Sequence, residues 1–274
     1  MESSNQTKLL PVPPDRTLVI MAKAPKSGRV KTRLTNHLPS PAVISLYRCL
    51  LEDTLALAAS LMNIHVAVMC PESDLLELSQ LLGNSVQVVA QTGNGLAAGL
   101  TSVFRHFISA GHQHVIAFNS DSPHLAPSVL ENAFEQLAAH DVVIGPTHDG
   151  GYYLVGAKAV HPSLFESDPM GTNTALDRLL ERTKTLALST AFTEPFYDID
   201  VANDLLQLSR ELRLAPAKAP RTANWFVEWQ ETVAQLPQCE GTNELLAQTN
   251  APTSAPPDRT RMEESERLGG TPFS

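Results

Sequence analysis

The stretch "TLVIMAKAPKSGRVKTRL", residues 17–34, decides how this chain is read. Its first residues are a short apolar run, the pattern of a buried strand. Five cations then follow within eleven residues: Lys23, Lys26, Arg29, Lys31 and Arg33. The whole chain, by contrast, carries a formal net charge of -9 over 274 residues. In an open α/β sheet, ligands bind at the carboxyl ends of strands, and Lys and Arg placed there neutralise phosphate oxygens. Gly28 is expected to allow close backbone approach. The loop is not a Walker A loop, which needs G-x-x-x-x-G-K-[ST], nor a G-x-G-x-x-G turn. A solvated basic loop is the alternative. On the phosphate reading, Lys31→Ala is expected to weaken phosphate binding without unfolding the protein, because a solvated lysine contributes little to stability.

Outward from this loop, strand-like and helix-like segments alternate. Strands are expected at 65–70, 86–90, 114–120, 141–146 and 151–157. Helices are expected at 41–61, 73–82 (Ser73 as cap), 95–111, 127–140, 173–183 and 200–212. Such alternation predicts an α/β fold: a single domain whose mixed, mostly parallel sheet carries helices on both faces. The segments 141–146 and 151–157 lie too close for a crossover helix, so they should form an antiparallel or bent pair. Residues 223–236 read as one more helix. Trp225 and Trp229 sit four apart on it, for packing on the domain or for contact with a second copy in a homo-oligomer.

The expected organisation is a flexible leader (1–16), the α/β domain (17–213), a helical extension (214–247) and a disordered tail (248–274). The tail is rich in Pro, Ser, Thr and charge and has little apolar surface to bury. The leader lacks the apolar core of a signal peptide, and no apolar run is long enough to span a bilayer. Cys49, Cys70 and Cys239 form no CxxC pair and read as buried, reduced thiols of a cytoplasmic protein. The acidic balance argues against nucleic-acid binding.

Three further segments carry candidate chemistry. "NSDSP" places Asp121 just past a strand end, where a carboxylate can hold a divalent cation that bridges phosphates; a turn or cap is the plainer role. "GPTHDGGYYLVG" (145–156) holds Asp149 before two glycines, a reversal that leaves room for a substrate ring, or an ordinary Asp-Gly hairpin turn. "FYDIDVANDL" (196–205) sets Asp198 and Asp200 on one side of an extended segment. Two carboxylates so close repel unless a cation is near. Asp200 could also cap the following helix, and Asp204 fits a structural first-turn position.

In this order the four segments resemble the nucleotide-diphospho-sugar transferase (GT-A, Rossmann-like) superfamily. More narrowly, the chain resembles the bacterial CofC-like glycosyltransferases of the DUF2064 family. Its patterns "AKxPxxGxxKTRL", "GSDxPxL", "GPxxDGGYYLxG" and "YDxDTPEDL" meet "AKAPKSGRVKTRL", "NSDSPHL", "GPTHDGGYYLVG" and "YDIDVANDL" here. The resemblance covers about residues 17–213. It implies a nucleotide whose phosphates meet Lys23, Gly28, Lys31 and Arg33. It also implies Mg²⁺ or Mn²⁺ held by Asp121 and Asp200, with Asp198 as helper. Asp149 is the candidate general base. The implied activity is metal-dependent glycosyl transfer from a nucleotide-sugar to an unidentified acceptor. The alternatives are nucleotidyl transfer from an NTP with release of pyrophosphate, and nucleotide binding without catalysis. The chain departs from the family at Ala97, Ala98 and Gly99, where members read Gly-Glu-Arg, at "DVAND" in place of "DTPED", and at "MGT" (170–172) in place of Trp-Ser-Thr.

Overall fold

Strand β1 (Arg16–Met21) buries Thr17, Leu18, Val19 and Ile20 in succession. A strand covered on both faces belongs in the middle of a parallel sheet. The computed structural model, which describes residues 15–165 and 174–237, places it there. The other strands are β2 (His65–Cys70), β3 (Gln87–Ala90), β4 (His114–Asn119), β5 (Val142–Pro146), β6 (Tyr152–Ala157) and β7 (Thr190–Phe192). They form one sheet of seven in the order β3-β2-β1-β4-β6-β5-β7. All neighbours are parallel except β6, which runs antiparallel to both β4 and β5. The expected close pair is therefore a hairpin. Its second strand inserts between β4 and β5, which no local pattern announces.

Helices cover both faces: α1 (Ser40–Ala59), α2 (Leu75–Leu82), α3 (Gly95–Ser109), α4 (Pro127–Ala139), α5 (Ala175–Thr185) and α6 (Ala202–Leu214). Successive strand side chains point to opposite faces. Leu18 and Ile20 thus join Leu51 of α1, Leu78 of α2 and Phe134 of α4, while Val19 joins Val103 and Phe104 of α3. Register aligns Met21 of β1 with Met69 of β2 and Asn119 of β4, so the loops after these strands emerge side by side.

Two elements depart from the sequence reading. β7 was not expected. It has only three residues, pairs at the sheet edge with β5, and buries only Ala191, so it shows no apolar run. Residues 223–236 form two helices rather than one, α7 (Pro220–Glu228) and α8 (Gln230–Ala234), divided at Trp229. The packing role of Trp225 holds. Its indole Nε1 donates to the Ala42 carbonyl (3.2 Å) and to Ser45 Oγ (2.9 Å) of α1. Buried Asp53 of α1 accepts from the backbone N–H groups of Arg221 (3.2 Å) and Thr222 (2.8 Å), satisfying the amino end of α7. Residues 214–237 thereby share a third core cluster with α1 and α6. The chain divides after Pro237. The expected leader up to Pro14, the tail, Cys239 and "MGT" lie outside the described residues. Among the described residues no helix is long and apolar enough to cross a membrane.

Candidate functional site

The loop after β1 is held at its start through three backbone N–H groups. Ala22 N–H donates to the Met69 carbonyl (3.0 Å), Lys23 N–H to Tyr47 Oη (3.0 Å) and Ala24 N–H to Asp74 Oδ2 (3.1 Å). The chain then turns through Gly28 at φ +69° and Lys31 at φ +46°. A Cβ on Gly28 would meet nothing within 4 Å. The glycine is needed for its backbone conformation, and no close approach within the protein requires it. The cations are not free. Lys26 pairs with Glu77 (2.8 Å) and lies 3.7 Å from Asp74, and Arg29 lies 3.5 Å from Asp74. Lys31 is also not the solvated lysine expected from the sequence, since its side chain is 4% exposed.

Three carboxylates converge under this loop. Asp121 follows β4, and Asp198 and Asp200 precede α6. Each offers an oxygen, and these oxygens all lie within 4.8 Å of one another. The Lys31 ammonium sits among them, hydrogen-bonded to Asp121 and 3.1 Å from Asp200 Oδ1; Arg33 holds the other Asp200 oxygen at 3.0 Å. Burial alone would lower the Lys31 pKa, but the charges of Asp121 and Asp200 outweigh it and hold the ammonium well above its usual range. Burial pushes Asp198 up to about 7, reinforced by the charge of Asp121 and opposed by Lys31. Asp200 does not cap α6. Asp204 does so, accepting from Asp200 N–H (2.9 Å) and Val201 N–H (2.8 Å), which leaves the Asp200 carboxylate for the site.

The hairpin between β5 and β6 supplies a further wall. Asp149 Oδ1 accepts from Thr147 Oγ1 (2.5 Å) and from Gly151 N–H (3.1 Å), and Gly150 sits at φ +85°. One oxygen of Asp149 therefore fixes the turn, as the hairpin reading expects. A Cβ on Gly151 would come within 2.8 Å of Thr147 Oγ1.

These parts line a single cleft of about 960 Å³. On one side of the carboxylates it runs past Lys23, Ser73, Gln91 and Asn94, over β1 to β3. On the other it runs past Asn119, Asp149, Gly151 and Tyr152. A larger residue at position 99 would require the ends of the Gln91 and Met21 side chains to shift. A Cβ there would meet Gln91 Oε1 at 2.7 Å and Met21 Cε at 2.8 Å.

Sequence reasoning missed Asp74 and Tyr47, although both shape the loop. Asp74 is fully buried, anchors Ala24 N–H and faces two cations. It follows β2 just as Asp121 follows β4, so the rule that singled out Asp121 could have found it. Tyr47 lies on the buried face of α1, where its ring reads as core. Its hydroxyl bonds Lys23 N–H and Ser120 Oγ (3.1 Å). Both described thiols, Cys49 and Cys70, are pushed up to about 11 by burial first, which suits inert side chains.

Residues 54–172 match a family model, DUF2064, an uncharacterized protein conserved in bacteria. The likeness read from the motifs is shown. The matched stretch contains the Asp121 and Asp149 segments, and the basic loop and the Asp198–Asp200 segment flank it. No curated protein matches the chain. Among solved structures, the chain is similar to a candidate nucleotide-diphospho-sugar transferase from Desulfovibrio desulfuricans G20. The TM-score is 0.74 and the identity 24%, covering 81% of this chain and 97% of that one. It is also similar to 4-diphosphocytidyl-2C-methyl-D-erythritol synthase from Anaerococcus prevotii DSM 20548, with TM-score 0.52 and 13% identity over 72% and 95% of the two chains. A homologue of Mycobacterium tuberculosis Rv0371c from Mycobacterium sp. strain JC1 follows, with TM-score 0.50 and 15% identity over 74% and 99%. At these identities the likeness is one of fold, the nucleotide-diphospho-sugar transferase fold expected from the sequence.

Proposed function

We propose that this protein is a transferase that binds a nucleotide diphosphate-sugar with a divalent cation, Mg²⁺ or Mn²⁺, and passes the sugar to an acceptor. The observation that carries the reading is the convergence of Asp121, Asp198 and Asp200 in the cleft below the basic loop. Carboxylate oxygens suit a hard cation. The charges also ask for one. Lys23, Lys26, Arg29, Lys31 and Arg33 face Asp74, Glu77, Asp121, Asp198 and Asp200. Only Lys23 has no carboxylate partner among the described residues. Phosphates entering here meet a loop whose charge is already balanced, so further positive charge must arrive with them.

A cation held by the three carboxylates would offset the negative charge that gathers on a departing nucleoside diphosphate. The protein's own part is to place the diphosphate near Lys23, to seat the nucleoside over β1 to β3, and to leave the Asn119–Asp149–Tyr152 side for sugar and acceptor. In the transfer, the bond from the sugar's anomeric carbon to the phosphate oxygen breaks and the acceptor hydroxyl oxygen bonds to that carbon. The nucleoside diphosphate leaves with the bonding electrons, and the hydroxyl proton goes to a base, for which Asp149 is the candidate. The near-balanced loop favours a diphosphate over a triphosphate, which brings more negative charge.

The test is incubation with Mn²⁺ and a panel of nucleotide-sugars and NTPs. Release of a nucleoside diphosphate from a nucleotide-sugar, lost in Asp121→Asn, is expected. Pyrophosphate release from an NTP alone would replace this reading with nucleotidyl transfer, and binding without turnover would leave a nucleotide-binding protein.

A further inference from the structure

The ammonium of Lys31 already lies where a cation would lie. It is 4% exposed, bonded to Asp121 and Asp200, and close enough to Asp198 that its charge opposes the upward shift of that carboxyl. A lysine cannot share this space with a divalent ion. Metal–oxygen bonds are about 2.0–2.6 Å long and the ion needs several carboxylate oxygens at once, whereas the ammonium occupies the Asp121 and Asp200 oxygens that face it. The residue also sits at φ +46°, and its backbone carbonyl accepts from Leu34 N–H (2.9 Å), so only its side chain reaches the carboxylates.

Resting on the metal reading above, we infer that Lys31 is an internal stand-in for the divalent cation, displaced when the ion enters and thereby released toward the bound phosphates. Held among them, Lys31 keeps three adjacent carboxylates from repelling one another. Entry of a divalent ion removes the reason for the lysine to stay buried. Its flexible four-carbon stem can then carry the charge to phosphate oxygens. Metal binding and phosphate binding become coupled through one side chain: each ligand improves the site for the other, by an equal factor in both directions. Lys31 is in this respect unlike Arg33, which is largely exposed and holds only the outer oxygen of Asp200.

The experiment measures Mn²⁺ affinity without nucleotide, by electron paramagnetic resonance at pH 8.5. It compares wild type, Lys31→Met, Arg33→Met and Asp121→Asn, with thermal melts showing that each is folded. Lys31→Met should bind Mn²⁺ at least tenfold more tightly than wild type, and Arg33→Met should gain clearly less. In parallel, wild-type protein is labelled by reductive methylation and read by mass spectrometry. Labelling at Lys31 should rise when Mn²⁺ is added. Equal gains in the two variants, or a Lys31→Met affinity no better than wild type, would overturn the inference while leaving the metal site standing. Unchanged Lys31 labelling with saturating Mn²⁺ would do the same. Absence of Mn²⁺ binding in wild type and Lys31→Met alike would overturn the metal reading and this inference together. Should Lys31→Met fail to fold, the labelling measurement on wild type decides alone.

Discussion

Asp198 makes the candidate metal site sensitive to pH near neutrality. Its carboxyl is held up to about 7 by burial and by the charge of Asp121, and a carboxylate must lose its proton to ligate a cation. With one proton competing, the ionised fraction is about 0.9 at pH 8 and about 0.01 at pH 5, so Mn²⁺ affinity should fall roughly 90-fold between them. The slope should approach tenfold per pH unit below 7. The same shift has a consequence for the metal-free protein. An unfolded Asp titrates near 3.9, so between about pH 4 and pH 7 the folded chain holds a proton that the unfolded chain has lost. The unfolded state then binds fewer protons, and this group's contribution to stability falls as pH rises through that window. The assay is calorimetric titration of Mn²⁺ at pH 5, 6, 7 and 8 in buffers of different ionisation enthalpy, which also counts the protons released. Asp198→Asn, which cannot titrate, should flatten the profile. An affinity constant from pH 5 to 8, or a profile unchanged in Asp198→Asn, would refute the reasoning.

Two further outcomes follow from the buried acids that sequence reading passed over. Asp74→Ala removes the acceptor for Ala24 N–H and the buried partner of Lys26 and Arg29; it should cost about 2 kcal/mol of stability and weaken nucleotide binding about tenfold, seen by denaturant titration and by calorimetry, and an unchanged nucleotide affinity would show that the loop needs no anchor. Asp53→Ala leaves Arg221 N–H, Thr222 N–H and Thr222 Oγ1 without their acceptor, at about 3 kcal/mol, so Tm should drop about 6–12 °C; a drop under 3 °C in a circular dichroism melt would mean that α7 does not depend on it.

The sequence by itself determined the class of fold. Apolar runs with strand length, alternating with helical periodicity, require a parallel sheet between helices, because a strand buried on both faces has no other home. It also determined the four segments that line the cleft, since chemistry gathers at strand carboxyl ends. Asp121 was legible as a polar residue just past an apolar strand, and Asp198 and Asp200 as two carboxylates set close together. Only the tertiary structure decided which charges meet. Lys31 and Asp200 are separated by 169 positions, yet they pair, and the loop's cations are less free than the sequence suggests. Asp74 and Glu77, from the start of α2, take Lys26 and Arg29 in the same way. Insertion of β6 between β4 and β5, and the edge strand β7, also escaped local reading, because strand order is set by long-range pairing. A charge count along the chain sees a cluster of cations; the field at a site depends on the distances between charges, and those exist only after folding.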